Sequence, residues 1–157
     1  MRKLVTFLPL LTIGFSSGVF AQSIDDIVLN VYKDESCGCC VGWINHMEAH
    51  EYHANVFHPA DLNGVKEELG IKPEWASCHT AVTENNYLFE GHIPAKFIDQ
   101  FLANPPADAL GLTVPGMPIG GPGMEMGDRF TPYQILLMKK DGTAEVYATI
   151  NSAADQS

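Results

Sequence analysis

The chain has 157 residues, a length that suits a single domain. Its formal net charge of −10 makes the surface repel phosphate backbones, which argues against nucleic acid as a partner. It contains four cysteines, an even number that in an exported protein usually indicates structural disulfides.

The first 21 residues have the pattern of a secretory signal peptide. Arg2 and Lys3 precede an uncharged and almost wholly apolar stretch, Leu4 to Phe20, and Ala21 completes a small-residue cleavage site. A membrane anchor is the alternative, but 17 residues are marginal for spanning a bilayer. The pattern predicts export to the bacterial periplasm and a mature chain, residues 22–157, without stable membrane insertion. Cleavage would remove two basic and no acidic residues and bring the net charge to about −12.

Apolar segments in the mature chain predict strands and helices in the order β-α-β-α-β-β-α. The predicted strands cover residues 24–32, 52–57, 80–83 and 87–89, and the predicted helices cover residues 39–49, 61–69 and 94–103. Strands that alternate with helices predict an α/β sheet with a parallel portion. This order is that of a thioredoxin-like fold, so we expect residues 22–157 to form one thioredoxin-like domain.

The remainder of the chain has a different character. Residues 104–132 are rich in Gly, Pro and Met and show no period, which predicts a long functional or disordered loop. Residues 133–138 and 145–150, around Asp141 and Gly142, predict a hairpin. Residues 151–157 predict a frayed tail.

Two cysteines form a C-x-x-C pair, Cys37 and Cys40, at the end of the first predicted strand, where a helix begins. The free N–H groups and partial positive charge of a helix N-terminus favour the thiolate, the form that attacks disulfides and binds metals. Cys37 and Cys40 are therefore the candidate catalytic residues of a thiol–disulfide oxidoreductase.

A third thiol, Cys39, lies within the same turn and indicates a metal site. It would interfere with simple dithiol exchange, whereas Cu(I) is bound well by several thiolates. Cys78, before the third predicted strand, is expected to face this turn as a fourth sulfur ligand or as a disulfide partner, and an inert buried thiol is the alternative. Zinc is less favoured because an all-cysteine zinc site normally has two C-x-x-C pairs.

The loop methionines and one histidine extend this prediction. Thioethers are soft ligands that need no deprotonation, which favours Cu(I) binding over core packing for Met117, Met124 and Met126. His92, close to the start of the third predicted helix, is the best auxiliary ligand, with a solvated loop histidine as the alternative.

The other histidines are not predicted to bind the metal. His79 is expected to point away from Cys78, because neighbours on a strand alternate between faces. Surface positions are predicted for His46, His50 and His53.

Several segments together resemble the CopG-like periplasmic copper-resistance proteins, a family long described only as a metal-binding domain of unknown function. The matching segments, which follow in the family's order over residues 27–150, are Tyr32 to Trp43, Ala76 to Ala81, Glu90 to Ala95, Val114 to Pro118 and Pro122 to Glu125.

The resemblance implies a thioredoxin-like domain that binds Cu(I) for copper resistance through Cys37, Cys39, Cys40 and Cys78. It also implies cycling between disulfide and thiol forms, coupled to the copper oxidation state. The implied partners are copper ions and other periplasmic copper-handling proteins. Enzymatic activity is left open; it would be a copper-linked thiol oxidoreduction.

Two other functions fit part of the pattern. A thiol–disulfide oxidoreductase without a metal role would need Cys37 and Cys40 but not Cys39. A binding module stabilised by two disulfides would use all four cysteines structurally.

Overall fold

The computed structural model describes residues 27–157. The predicted signal peptide and its cleavage site lie outside these residues. Within the described range, no helix combines the length and the apolar character that crossing a bilayer requires.

The described residues form one mixed α/β unit. The strands are β1 (Ile27–Lys33), β2 (Tyr52–Phe57), β3 (His79–Thr83), β4 (Leu88–Glu90), β5 (Ala109–Thr113), β6 (Tyr133–Lys139) and β7 (Ala144–Ile150). The helices are α1 (Gly38–Glu48), α2 (Leu62–Glu68) and α3 (Ala95–Ala103), with short 3₁₀ helices at Pro73–Trp75 and Ala153–Gln156.

All seven strands belong to one sheet, in the order β2-β1-β3-β4-β5-β6-β7. The pairs β1–β2 and β4–β5 are parallel, and the other neighbours are antiparallel. The α/β class, the predicted order of elements through α3 and the C-terminal hairpin are therefore confirmed.

Two hydrophobic clusters hold the helices against the sheet. Helix α1 buries Cys40, Trp43, Ile44 and Met47, a spacing that places them on one face of a helix. Its apolar residues share the larger cluster with those of α3 and with inward residues of the strands. A smaller cluster contains Ile71, Trp75, Val82, Leu88 and Met138.

One strand falls inside the segment predicted to be a structureless loop. Residues 109–113 form β5, which pairs with β4 on one side and β6 on the other. Four of its five residues are buried, so it lacks the alternation of apolar and polar residues that reveals a half-buried strand. The loop prediction is wrong for these residues and holds for residues 114–132, hereafter the methionine loop.

The prediction of a frayed tail is also wrong. Ser152 and Asp155 form a capping box at the start of the last 3₁₀ helix. Gln156 Nε2 donates to the backbone oxygen of Gly120 at 2.9 Å, and Lys96 Nζ donates to the backbone oxygen of Ser157 at 2.8 Å. The tail is polar and has no apolar period, and its hydrogen bonds to distant residues are invisible in the local pattern.

Candidate metal centre

Cys37, Cys39 and Cys40 lie in the turn that leads from β1 into the start of α1, hereafter the thiol turn. Cys37 is the N-cap of α1, and its Sγ accepts a hydrogen bond from the Cys40 backbone N–H at 3.3 Å. Cys37 and Cys40 are joined by a disulfide, whereas Cys39 and Cys78 are free thiols. Because all four cysteines are among the described residues, the structure holds one disulfide and not the two of a fully stapled module.

Strand pairing brings Cys78 to this turn. β3 runs antiparallel to β1, and its first residue, His79, pairs with Lys33 at the end of β1. Cys78, immediately before β3, therefore lies beside the turn that follows β1. The sulfur atoms of the four cysteines all lie within 4.8 Å of one another. The expected juxtaposition is present, and its use for a metal remains a prediction.

His92 lies against Cys78 and is wholly buried. Its Nε2 is 3.0 Å from Cys78 Sγ, and its Nδ1–H donates to the backbone oxygen of Pro122 at 2.8 Å. This second hydrogen bond fixes the tautomer and leaves the Nε2 lone pair directed at the sulfur. Burial lowers the pKa of His92, which favours the neutral form that can act as a ligand. A solvated loop histidine is therefore not what the structure contains.

His79 was expected to point away from Cys78, and this expectation is wrong. Its Nδ1 lies 3.4 Å from Cys78 Sγ, and the two residues form with His92 a second group of possible ligand atoms within 4.8 Å. The reason is that β3 begins at His79, so Cys78 lies outside the strand and the alternation of faces does not apply. The sequence held a signal for this contact, because the strand predicted at residues 80–83 does not include Cys78.

The environment of His79 is unusual. The ring is wholly buried beside the indole of Trp43, with 4.4 Å between ring centroids. Its Nε2 has no hydrogen-bond partner within residues 27–157. An unpartnered buried polar atom is costly. The other ring nitrogen, Nδ1, faces Cys78 Sγ and makes His79 a further candidate ligand.

The protonation of Cys78 follows from its surroundings. Burial, followed by the neighbouring Cys39, raises the pKa of the Cys78 thiol to about 12. Cys78 is thus a protonated thiol at neutral pH. Binding of a soft cation would have to displace this proton, so the affinity of the site for such a cation should increase with pH.

The methionine loop lies directly on the thiol turn. It is fastened near its start, where the Gly116 backbone N–H donates to the Ala76 backbone oxygen at 3.2 Å. At Gly123 it touches α1 so closely that an added Cβ would lie 2.4 Å from Trp43 N and 2.5 Å from the Cys39 backbone oxygen. Only glycine can make this contact, and Gly123 also has a φ of +81°.

The three methionines are placed differently. Met124 follows the contact at Gly123 and is partly buried. Met117 and Met126 are 55% and 50% exposed. The fold thus brings the backbone at Met124 beside the thiol turn, while a ligand role for each methionine stays a prediction.

Among the remaining histidines, His46 departs from the predicted surface position. It is partly buried, and its Nε2 accepts a hydrogen bond from the Ala95 backbone N–H at 3.1 Å, at the first residue of α3. This bond satisfies one of the free donors at a helix start. His50 and His53 are exposed, as predicted.

The donor set fits a soft metal ion. The ligand atoms that the structure groups are thiol sulfurs and imidazole nitrogens, and they lie beside a loop that carries thioethers. Thiolate and thioether ligands select Cu(I), and imidazole is also accepted by copper. The residues present therefore suit copper.

The buried histidines predict an acid-sensitive fold. Burial lowers the pKa of His79 well below its usual value, so below about pH 6.5 the unfolded chain takes up a proton that the folded chain excludes. The free energy of unfolding should consequently fall with decreasing pH, by up to about 1.4 kcal/mol per pH unit from this histidine. Urea titrations between about pH 7 and 5.5 give the free energy of unfolding at each pH. This free energy should fall less steeply with decreasing pH in His79→Gln than in the native chain. His53→Gln, at an exposed position, should keep the native slope; equal slopes for both variants would contradict the prediction.

Comparison with known proteins identifies relatives of this chain. Residues 75–124, which include Cys78, His92 and the contact at Gly123, match a family described as a protein of unknown function, DUF411. No curated protein sequence matches the chain. Two solved structures, "Copper resistance protein copG" forms 2 and 1, share 40% identity with it and cover 80% of it, with TM-scores of 0.76 and 0.75. The chain in turn covers 99% and 98% of those structures. The chain therefore belongs to the family of the copper resistance protein CopG.

Proposed function

We propose that this protein binds Cu(I) in the periplasm and contributes to copper resistance. The observation that carries the proposal is the group of four cysteine sulfurs within 4.8 Å of one another at the start of α1. Several thiolates in one turn suit a soft cation and can bridge more than one ion. The names of the similar solved structures support copper as the ion.

The proposed ligands are Cys37, Cys39, Cys40 and Cys78, with His92 as the imidazole ligand. Met117, Met124 and Met126 are proposed as auxiliary thioether ligands. Met124 is favoured among them because it follows the residue that contacts the thiol turn. The disulfide between Cys37 and Cys40 would couple the capacity for Cu(I) to the thiol redox state.

The proposed location rests on the predicted signal peptide. The periplasm is oxidising, so a disulfide that can open and close is chemically reasonable there. Copper ions are the proposed ligand, and other periplasmic copper-handling proteins are the proposed partners.

An anaerobic titration tests the proposal. The reduced protein, residues 22–157, is titrated with Cu(I) in competition with a chromophoric Cu(I) chelator, and metal analysis of the desalted protein gives the stoichiometry. We expect more than one Cu(I) ion to be retained per chain against the chelator. Failure of the reduced protein to compete would refute the proposed function.

Replacement of His92 should weaken the site. His92→Ala removes the nitrogen that lies 3.0 Å from Cys78 Sγ, and we expect the affinity for Cu(I) to fall by at least about tenfold. His53→Ala, which removes an exposed imidazole, is the matched control and should bind as the native chain does. If both variants bind with native affinity, His92 is not part of the metal centre.

A thiol–disulfide oxidoreductase without a metal role is the second candidate, favoured by the Cys37–Cys40 disulfide at the start of α1. It predicts reductase or isomerase activity that is lost in Cys37→Ser and kept in Cys39→Ser. Loss of activity in Cys39→Ser, together with loss of Cu(I) binding, would favour the copper site instead.

A further inference from the structure

A buried ion pair lies behind the loop that carries Cys78. Lys66 Nζ, on α2, is 2.5 Å from Glu90 Oε1 at the end of β4, and the two side chains are 4% and 0% exposed. Lysine and glutamate are almost never fully buried unless they are paired, and apolar residues of similar volume often stabilise a fold equally well. The role of this pair is therefore best sought in what its hydrogen bonds hold in place.

The Glu90 carboxylate binds the chain on both sides of Cys78. Its Oε1 accepts a hydrogen bond from the Ser77 backbone N–H at 2.6 Å, and its Oε2 accepts one from Thr80 Oγ1 at 2.5 Å. Lys66 Nζ donates to Thr80 Oγ1 as well, at 2.8 Å. Ser77 and Thr80, which flank Cys78, thus both donate hydrogen bonds to the Glu90 carboxylate.

The same segment carries the imidazole partner of Cys78. Glu90 is the last residue of β4, and His92 follows two positions later. Glu90 also pairs with Thr80 in the β3–β4 ladder, and the Gly91 backbone N–H donates to the His79 backbone oxygen at 3.0 Å. Glu90 therefore links the segment around Cys78 to the segment that carries His92. The separation of these two segments sets the 3.0 Å distance from Cys78 Sγ to His92 Nε2.

We propose that Glu90, neutralised by Lys66, is a positioning residue that holds Cys78 against His92. A carboxylate is suited to this task because its two oxygens can accept from Ser77 and from Thr80 at the same time. Its negative charge in a buried place requires a cation, which Lys66 supplies from α2. The significance of the position for copper rests on the proposed function, whereas the position itself can be tested without copper.

Two double variants separate positioning from charge and from simple packing. Lys66→Met with Glu90→Gln removes both charges but keeps an amide oxygen for the Ser77 N–H and an amide N–H for Thr80 Oγ1. Lys66→Met with Glu90→Leu also removes both charges and provides no hydrogen bond. Both replace a buried ion pair by neutral groups, a change that folds often tolerate.

The first readout is the rate at which iodoacetamide alkylates Cys78 in the metal-free protein with the Cys37–Cys40 disulfide intact, followed by mass spectrometry. The reaction at Cys39 is followed in the same samples as an internal reference. Because a loosened loop exposes the sulfur, we expect the Leu variant to react at least about fivefold faster at Cys78, and the Gln variant to stay within about twofold of the native rate.

A surface ion pair supplies the control. Lys139→Met with Glu145→Gln removes a pair 2.9 Å apart whose glutamate is 58% exposed, and it should leave the alkylation rate of Cys78 unchanged. A folded Leu variant with the native rate would overturn the proposal. Equal acceleration in the Gln and Leu variants would overturn it too, since charge and not position would then be responsible.

A single variant covers the case in which the Leu variant does not fold. Thr80→Val removes only the hydroxyl that donates to Glu90 Oε2, and we expect it to accelerate alkylation of Cys78. A native rate in Thr80→Val would overturn the proposal.

Cu(I) affinity of the reduced proteins is the second readout. We expect a loss of about tenfold in the Leu variant and a value near the native one in the Gln variant. A native chain that binds no Cu(I) would refute the proposed function while leaving the alkylation result to decide on positioning.

Discussion

Closing the Cys37–Cys40 disulfide is expected to lower the number of Cu(I) ions that each chain retains, and reducing it should restore the full number. The disulfide withdraws two of the four clustered sulfurs, because only thiolates bind the metal strongly. Cys39 and Cys78 remain free, with His92 beside the second of them. The oxidised protein should therefore keep a smaller soft site and not lose copper altogether.

The measurement compares air-oxidised and fully reduced protein in anaerobic Cu(I) titrations against a chelator, with free thiols counted in parallel. The double variant Cys37→Ser with Cys40→Ser is the matched control, since it has the same two free thiols in both redox conditions. It should bind as the oxidised native protein does, whether or not a reductant was used. Cys78→Ser should abolish the binding that remains in the oxidised form.

Equal stoichiometry in the oxidised and reduced native protein would contradict this prediction. Such a result would mean that the sulfurs of Cys37 and Cys40 are not ligands, and it would favour separate roles for the redox pair and the metal site. A change in capacity that follows the thiol count would instead support coupling between the disulfide and copper.

Gly123→Ala is expected to be the most damaging single-methyl change in the methionine loop. The new Cβ would lie 2.4 Å from Trp43 N and 2.5 Å from the Cys39 backbone oxygen, and neither backbone atom can move without shifting α1. The φ of +81° adds a cost of about 1–2 kcal/mol for a residue with a Cβ, and the forced contact adds about 1–3 kcal/mol. The free energy of unfolding should therefore fall by roughly 2–5 kcal/mol.

Cu(I) binding should weaken in the same variant. The loop carries Met124 and also Pro122, whose backbone oxygen orients the His92 ring at 2.8 Å. Urea unfolding measures the stability, and chelator competition of the reduced protein measures the binding. Both are expected to change together, because one contact holds the loop on the thiol turn.

Two glycines serve as controls for Gly123→Ala. Gly127 has a φ of +60° but nothing within 4 Å of an added Cβ, so Gly127→Ala isolates the cost of the backbone conformation. Gly38, at the start of α1, also has open space, and Gly38→Ala should change the stability by no more than about 1 kcal/mol. If Gly123→Ala resembles Gly38→Ala in both measurements, the loop does not depend on this contact.

Much of the fold was predictable because its signals are local. The strand at residues 52–57 was predicted with the observed bounds, and Tyr52, Val56 and Phe57 in it are of types that strands favour. The second helix was predicted to begin at residue 61, and Asp61 is its N-cap, whose side chain accepts a hydrogen bond from the Gly64 backbone N–H at 2.9 Å. The failures were at β5, which is almost wholly buried and lacks a period, and at the polar tail, whose partners are distant in sequence.

In the candidate site, too, most residues with a local sequence signal were predicted and those without one were not. Cys37, Cys39 and Cys40 were recognisable from their spacing at a strand-to-helix junction. His79 was misjudged because strand alternation was applied to Cys78, which lies before the strand both as predicted (residues 80–83) and as observed (His79–Thr83). The pair of Lys66 and Glu90 had no local signal, because the two residues are 24 positions apart and meet only when α2 packs beside the end of β4.

The sequence by itself determined the chemistry of this protein: three thiols in one helical turn, a fourth downstream, and methionines in a glycine-rich segment. Only the tertiary structure decided which of these groups meet. It placed Cys78 Sγ at 3.0 Å from His92 Nε2. A hydrogen bond to the backbone oxygen of Pro122, 30 residues further along, orients the His92 ring, and Gly123 contacts the thiol turn. The physical reason is that periodicity and spacing act over a few residues, whereas ligand geometry depends on strand register and on the packing of distant segments.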